Sequence, residues 1–336
     1  MKNWFARLFG GAPRRVAAVP PAPPAPAAAP SAPAAPQPGH PASKAEVDGA
    51  FLRWLLGSAA GDAPPATERL ILDELARLAA SPARAAELVP RVPAVIPELL
   101  RSLRDERVSN ADLSRMVAQD VVLVAEVVRE ANSPFYRPPA PIRNIEGALM
   151  LLGQNGLRML LARVAFRPVI GMQPGRFARL AAPRIWLQSE KCALACATLA
   201  PHAGANPFEA YLAGLIQNVG LVVAFRLIDQ VYDEDVLPRS PAFCDALLLD
   251  ARRLAHGIAL EWAFPPAVAG AIAGAGLPAV GKTVGALAGV LGTADVLAKL
   301  RVLLDAGDLA PDDPLLGAHL TPRLRPCFDL LLTQDT

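Results

Sequence analysis

The apolar stretch Tyr211–Leu227, YLAGLIQNVGLVVAFRL, decides the fold. Its hydrophobic residues recur at spacings of three and four, which places a wide apolar stripe on one helix and predicts burial on several sides. They are Leu212, Leu215, Ile216, Val219, Val222 and Val223. A single polar pair, Gln217 and Asn218, interrupts the run. The pattern predicts one central core helix of about five turns.

The composition is that of a folded chain with a nearly neutral body. The chain has 336 residues, 53% of them hydrophobic, which is enough for one large or two ordinary domains. Residues 1–42 contain four of the 33 basic residues and no acid, so the rest of the chain has 29 basic and 31 acidic residues. A neutral body offers no basic stripe, and we therefore expect no nucleic-acid partner.

Cysteine usage and hydropathy favour an unexported protein. The four cysteines form no C-x-x-C pair, which argues against a disulfide scaffold and against a paired-thiolate zinc site. Cys192 and Cys196 lie one turn apart near His202, but no further ligands accompany them, and buried free cysteines behave as small hydrophobic residues. The first residues have too short an apolar region for a secretory signal. We expect a cytoplasmic protein.

The first 42 residues combine a short aromatic peptide with a proline-rich segment. Residues 1–11, MKNWFARLFGG, place four large apolar side chains close together, namely Trp4, Phe5, Leu8 and Phe9. Such a peptide can dock in a partner's groove or lie on the inner membrane surface, and a frayed terminus without a role deserves equal weight. Residues 12–42 are nearly all proline and alanine, which predicts a disordered, semi-stiff tether.

Ordered structure is expected from residue 43. Ser43 is a plausible N-cap with Glu46 three residues later, and Thr67 opens a second helix. These accessory helices, within residues 43–88, are predicted to form a small lid or hairpin on the main domain. Nothing in their sequence suggests chemistry.

Residues 89–153 contain several distinctive motifs. They include SNADL (109–113), Gln119-Asp120, the sequence ANSPFY (131–136) and the run from Ile142 to LLG (151–153). One helix is predicted to end before Pro134, because a residue that precedes proline is disfavoured in a helix. Its predicted buried face consists of Val121, Val122, Val124, Ala125 and Val128. Asn132, Ser133, Phe135 and Tyr136 are candidate interaction residues, although capping and packing are the favoured roles.

This segment resembles an HDOD domain, a bacterial signalling module related to HD-type metal phosphohydrolases. The resemblance runs from about Val89 to about Leu304. It implies an all-α fold of two packed helical subdomains, residues 89–183 and residues 184–304, followed by a C-terminal extension over residues 305–336. It also implies a regulatory role in signal transduction.

The metal-ligand frame of HD hydrolases is altered in this chain. The hydrolases present G-L-L-H-D-I-G where this sequence has GLIQNVG (214–220), so Gln217 and Asn218 replace histidine and aspartate. Gln188 stands where a histidine would follow the tryptophan, and Ala275 and Gly276 stand where paired histidines would be. Only Asp295 matches, as the late aspartate. Amides are poor ligands for transition metals, so we expect no metal, no cofactor and no catalysis.

Two alternative functions remain open from the sequence. A metal-dependent phosphohydrolase with cryptic ligands would use groups such as His256 and Asp295, although a catalytic metal commonly needs three protein ligands. A nucleotide-binding switch would use Gly276–Thr283, which fits G-x-x-x-x-G-K-T, but the preceding residues predict a helix where a phosphate loop follows a strand. The favoured interpretation is a non-catalytic regulatory protein that binds an unidentified signalling protein, in an oligomeric state that the sequence does not determine.

Overall fold

The computed structural model describes residues 44–57, 60–89, 97, 110–118, 121–133, 136, 138–171, 173–275 and 285–332. These residues are almost entirely helical, and the predicted all-α class is confirmed. Within them, the strands are two short segments, β1 (Ala60–Gly61) and β2 (Leu237–Pro238), which pair in parallel. This bridge joins the accessory segment to the residues that precede helix Pro241–Glu261.

Fourteen α-helices account for most of the described residues. Those before residue 200 are α1 (Lys44–Leu56), α2 (Pro65–Ala79), α3 (Pro82–Glu87), α4 (Asn110–Ala118), α5 (Val121–Ala131), α6 (Ile145–Gly171) and α7 (Phe177–Leu199). After a 3₁₀ turn at Ala200–Ala203 come α8 (Pro207–Ile216), α9 (Val219–Val231), α10 (Pro241–Glu261), α11 (Pro266–Gly274), α12 (Ala286–Asp305), α13 (Pro314–His319) and α14 (Arg325–Leu330).

Helix α7 lies at the centre of the packing, in contact with α6, α8, α9 and α12. Helix α1 packs against α7, α10 and α12, while α2 and α3 pack on α10. The accessory helices therefore pack on helices of the second half of the chain. Helix α5 packs on α6, and α6 in turn packs on α7.

The central apolar stretch forms two helices, so the prediction of one continuous helix was wrong. Helix α8 begins after Asn206, whose side chain accepts hydrogen bonds from the backbone N–H groups of Phe208 and Glu209. The helix ends before Gln217, and α9 begins after Asn218, whose dihedral angles (φ −92°, ψ 5°) depart from helical values. The break lies at the polar pair and leaves both amide side chains inside the protein.

Burial of this stretch is nearly complete. Residues 211–225 are all buried. The segment Pro207–Val231 is apolar and long enough to cross a membrane, but 83% of its most apolar window is buried within the protein. Core helices of soluble proteins have this character.

The buried face of α5 differs from the predicted one. Leu123, Val127 and Ala131 are buried, whereas Val122 is 72% exposed. A spacing of four residues directs the first three side chains to one side of the helix, toward α6. The run of valines hid this periodicity because apolar residues occupy both faces.

Two glycines allow the central helices to approach closely. A Cβ atom at Gly214 would lie 2.7 Å from the Cα of Ala193 in α7, and one at Gly220 would lie 1.8 Å from the carbonyl oxygen of Ala251 in α10. Both contacts are with backbone, which cannot move aside as a flexible side chain would. These two positions fix how near α8 and α9 lie to their neighbours.

Gly220→Ala should therefore destabilise the protein by about 1–3 kcal/mol or more, because overpacking a core forces the backbone apart. Gly270→Ala is the matched control, since no atom lies within 4 Å of a Cβ built at this position in α11. The control should be stabilising by about 0.5–1 kcal/mol, the usual advantage of alanine within a helix. Thermal or urea unfolding of both variants measures the difference, and equal effects would contradict the close-approach argument.

Candidate functional site

Four of the six predicted metal-frame positions form one buried hydrogen-bonded cluster. Gln188 lies on α7, Gln217 and Asn218 lie at the break between α8 and α9, and Asp295 lies on α12. Gln188 is fully buried, and each of the others is at most 8% exposed. Residues that are 107 positions apart in the sequence are thus in direct contact.

The carboxylate of Asp295 organises the amides. Gln188 Nε2 donates to Asp295 Oδ1 at 2.9 Å, and Gln217 Nε2 donates to the same oxygen at 3.1 Å. Because an ionised carboxylate only accepts hydrogen bonds, both glutamines must present their NH₂ groups to it. This requirement fixes the orientation of the amides.

The amide groups of Gln217 and Asn218 also donate to side chains of α7. Asn218 Nδ2 donates to Gln188 Oε1 and, at 3.3 Å, to Ser189 Oγ. Gln217 Nε2 also donates to Cys192 Sγ at 3.0 Å. Burial raises the pKa of the Cys192 thiol, with the neighbouring Cys196 adding to the effect, so Cys192 is a neutral thiol at physiological pH. The amides thus link the helix break to α7 and α12.

A buried lysine completes the cluster, and the sequence analysis missed it. Lys299, one turn after Asp295 on α12, donates to Asp295 Oδ2 at 2.7 Å and to Asp48 Oδ1 of α1 at 2.6 Å. Its Nζ lies 5.1 Å from the centroid of the Phe51 ring. Asp48 also pairs with Lys44. The signal was present as two charged residues four positions apart within an otherwise apolar run.

The charges of this cluster stabilise one another. Burial lowers the pKa of Lys299, but Asp295 and Asp48 outweigh this effect, and the pKa lies above its usual value. Burial likewise raises the pKa of Asp48, but Lys299 and Lys44 outweigh it and hold the pKa at about 2. Both groups are therefore charged at neutral pH, as a buried ion pair with good geometry requires.

The cluster does not suit a transition metal. Among the described residues, no three His, Cys, Asp or Glu side chains come together in a way that could hold a metal ion. Ala275 is buried at the end of α11, and its methyl group offers no ligand. His256 Nδ1 instead contacts the carbonyl oxygen of Ala269 at 2.9 Å, which connects α10 to α11. Gly276 lies outside the described residues.

A second polar cluster joins the two predicted subdomains. Arg163 of α6 pairs with Glu130 of α5 and with Glu190 of α7. Burial raises the pKa of the Tyr136 and Tyr211 hydroxyls, which lie beside these charges. Burial also raises the pKa of Glu190, against the opposing effect of Arg163. Tyr136 is therefore a partly buried residue that lies beside Arg163, Glu130 and Glu190.

The other predicted interaction residues have local partners or lie outside the described part of the chain. Asn132 Nδ2 donates to the carbonyl oxygens of Val128 and Ile142, and its Oδ1 accepts from the Ile142 N–H, at 2.7–2.8 Å. The Ser133 N–H donates to the Glu130 carbonyl oxygen at 3.0 Å. These contacts close the loop after α5. Phe135, the segment with Trp4, Phe5, Leu8 and Phe9, and the tether over residues 12–42 lie outside the described residues.

The phosphate-loop pattern Gly276–Thr283 also lies outside the described residues, but its flanks are described. Helix α11 precedes it and helix α12 follows it. A phosphate loop that binds nucleotide follows a β-strand. The context of the pattern therefore differs from that of a nucleotide site.

The described residues form an all-α bundle around the buried cluster. Residues 89–276 match the sequence model of the HDOD domain, which is more than half of the chain. The chain therefore belongs to the HDOD family. The accessory helix α1, which supplies Asp48, lies before the matched segment.

Individual relatives are distant. An uncharacterized protein of Treponema pallidum (strain Nichols) is 25% identical over 209 residues, which cover 59% of this chain and 39% of that protein's length. An HDOD domain protein with unknown function from Geobacter sulfurreducens has a similar crystal structure, with 22% identity, a TM-score of 0.53, and coverage of 78% of this chain and 97% of that one.

Two further crystal structures have the same fold. One, from Shewanella amazonensis SB2B, bears the provisional name phosphohydrolase, with 24% identity, a TM-score of 0.53, and coverage of 77% of this chain and 93% of that one. The other, from Marinobacter aquaeolei VT8, is provisionally named a signal transduction protein, with 19% identity, a TM-score of 0.51, and coverage of 86% and 63%. At these identities the likeness concerns the fold alone.

The amide cluster should respond to mutation as a coupled unit. Asn218→Leu leaves Gln188 Oε1 buried without its donor, and Gln188→Met leaves Asn218 Nδ2 without its main acceptor, so each should cost about 1–3 kcal/mol. The double variant should cost less than the sum of the two, because neither polar group is then left without the other. Urea unfolding of the four proteins measures the coupling. Additive losses would show that the two amides act independently.

Proposed function

We propose that this HDOD protein is a non-catalytic signalling module that acts by binding other proteins. The observation that carries the proposal is the position of the Lys299 ammonium, 2.7 Å from the one carboxylate that matches the HD metal frame. The cation that neutralises Asp295 belongs to the chain itself. Neutral amides occupy the neighbouring positions of the frame.

Electrostatics favour this interpretation over a cryptic metal site. A divalent cation on Asp295 would lie about 4 Å from the ammonium, and their repulsion is on the order of 8 kcal/mol at an effective dielectric constant of 20. Amide donors that point toward Asp295 would repel the cation as well. Lys299 would have to leave Asp295 before a metal could bind there. We therefore derive no catalytic step through a metal.

Protein binding is the function that suits a closed cluster in a bundle of this family. The HDOD match and the signal-transduction name of one structural relative support a role in signalling. The polar groups that would perform chemistry at this position hydrogen-bond to one another, so what the bundle offers to other molecules is its surface. The aromatic peptide over residues 1–11 is the second contact that we propose.

The purified protein should contain no stoichiometric transition metal and should not hydrolyse cyclic dinucleotides or a chromogenic phosphodiester. Gln217→His with Asn218→Asp should not create either property, because Gln188, Ala275 and Lys299 remain. Elemental analysis and hydrolysis assays measure both, with an HD phosphohydrolase that has all its ligands as the positive control. One or two metals per chain, lost on Asp295→Asn, would contradict the proposal.

The N-terminal peptide should act through its apolar side chains. We expect Trp4→Ala with Phe5→Ala to abolish co-precipitation of the partner, and Lys2→Gln with Arg7→Gln to leave it unchanged, because large apolar residues dominate contact energies. Adsorption to membrane would give the opposite pattern, with loss of binding to anionic vesicles when the charges are removed and when salt is added. If neither pair of changes has an effect in the full chain, the segment is not a docking element.

A further inference from the structure

Helix α1 is an addition to the family domain that reaches its buried cluster. It lies outside the matched residues 89–276 and directly follows the proline- and alanine-rich segment over residues 12–42. It packs against three helices, α7, α10 and α12, and we call the surface that it covers the groove. Its buried apolar face consists of Val47, Phe51, Leu52, Leu55 and Leu56.

Two polar contacts hold α1 in this groove. At its start, Asp48 accepts from Lys299 of α12 at 2.6 Å, and both side chains are nearly inaccessible to solvent. At its end, Arg184 Nη1 of α7 donates to the carbonyl oxygens of Trp54 and Leu55 at 2.7 and 3.0 Å. Carbonyl groups of the last helical turn have no partners within the helix, so Arg184 supplies a bond that α1 cannot make for itself.

The charges are distributed so that the helices can separate without leaving an unpaired ion. Lys44 and Asp48 form a pair four residues apart on α1, and Asp295 and Lys299 form the corresponding pair on α12. Docking joins the two pairs through a single contact, that between Asp48 and Lys299. When α1 leaves, each helix keeps a neutral pair of its own. A buried charge left alone would be far more costly.

Helix α1 is a short unit with a defined end. Gly57, the residue after the helix, has a φ of +54°, a conformation that glycine adopts without strain and that ends helices. A helix of 13 residues is marginal in water by itself, so its order depends on docking. Local opening in proteins commonly involves such contiguous units.

From these observations we infer that α1 is a releasable latch. In its docked state it packs on α7, α10 and α12 and links Lys44, Asp48, Lys299 and Asp295 in one row of alternating charges. Its release exposes an apolar groove and leaves the Asp295–Lys299 pair and the amides of the cluster in place. Because α1 is joined to residues 1–42, an event at the N-terminal segment would act on the groove through the latch. The inference does not depend on the proposed lack of catalysis.

Native-state hydrogen exchange of the full chain, followed by mass spectrometry, tests the latch. Amides of α1 should exchange through an opening that leaves α7 and α12 protected. Asp48→Asn should raise the exchange rate of α1 about ten- to a hundred-fold, the effect expected for loss of a hydrogen bond between charged groups, and leave α7 and α12 unchanged. Phe51→Ala should have the same selective effect by a different route, and Asp48→Glu should retain more protection than Asp48→Asn.

Asp62→Asn is the matched control. It makes the same chemical change in the same accessory segment, where Asp62 forms an exposed pair with Arg239. Exchange in α1 should not change, because exposed ion pairs contribute little. The latch is overturned if α1, α7 and α12 exchange together in the parent protein and in the variants, since α1 would then open only with the whole bundle. Unchanged protection of α1 in Asp48→Asn and Phe51→Ala would overturn it equally.

Discussion

A lysine ammonium buried between two carboxylates is the interaction on which the centre of this structure depends. Lys299 lies within an apolar helix, where an isolated charge would not be tolerated. Asp295 satisfies it from one side and Asp48 from the other. Asp295 in turn orients Gln188 and Gln217, because a carboxylate accepts hydrogen bonds only from their NH₂ groups. This network of charges and amides thus connects α1, α7, α12 and the helix break.

The buried cluster directs hydrogen-bond donors toward one carboxylate. Histidine and aspartate at the helix break would offer lone pairs to a cation, whereas Gln217 and Asn218 offer hydrogen-bond donors to a carboxylate. The polar groups therefore satisfy one another inside the core. Such a network stabilises the packing of three helices when every member has a partner, and this condition explains why amides that are poor ligands can occupy a buried position.

Much of the fold could be predicted from the sequence because it depends on local patterns. The spacing of apolar residues over 211–227 predicted a buried centre, and motifs within 89–153 identified the HDOD family. The helix break at Gln217 and Asn218 was missed, since amides are tolerated within helices and their position alone does not show which way they point. The buried side of α5 was misjudged because its valines offer an apolar side chain on every face.

The sequence by itself determined the helical class and the family. These properties follow from residue identity and spacing along one segment. Only the tertiary structure decided that Asp48, in helix α1 before the family domain, meets Lys299 at a separation of 251 residues. A contact between distant segments depends on how the helices pack, and no local propensity encodes it. The same packing places Asp295 and Lys299, one turn apart on α12, in the charged centre of the protein.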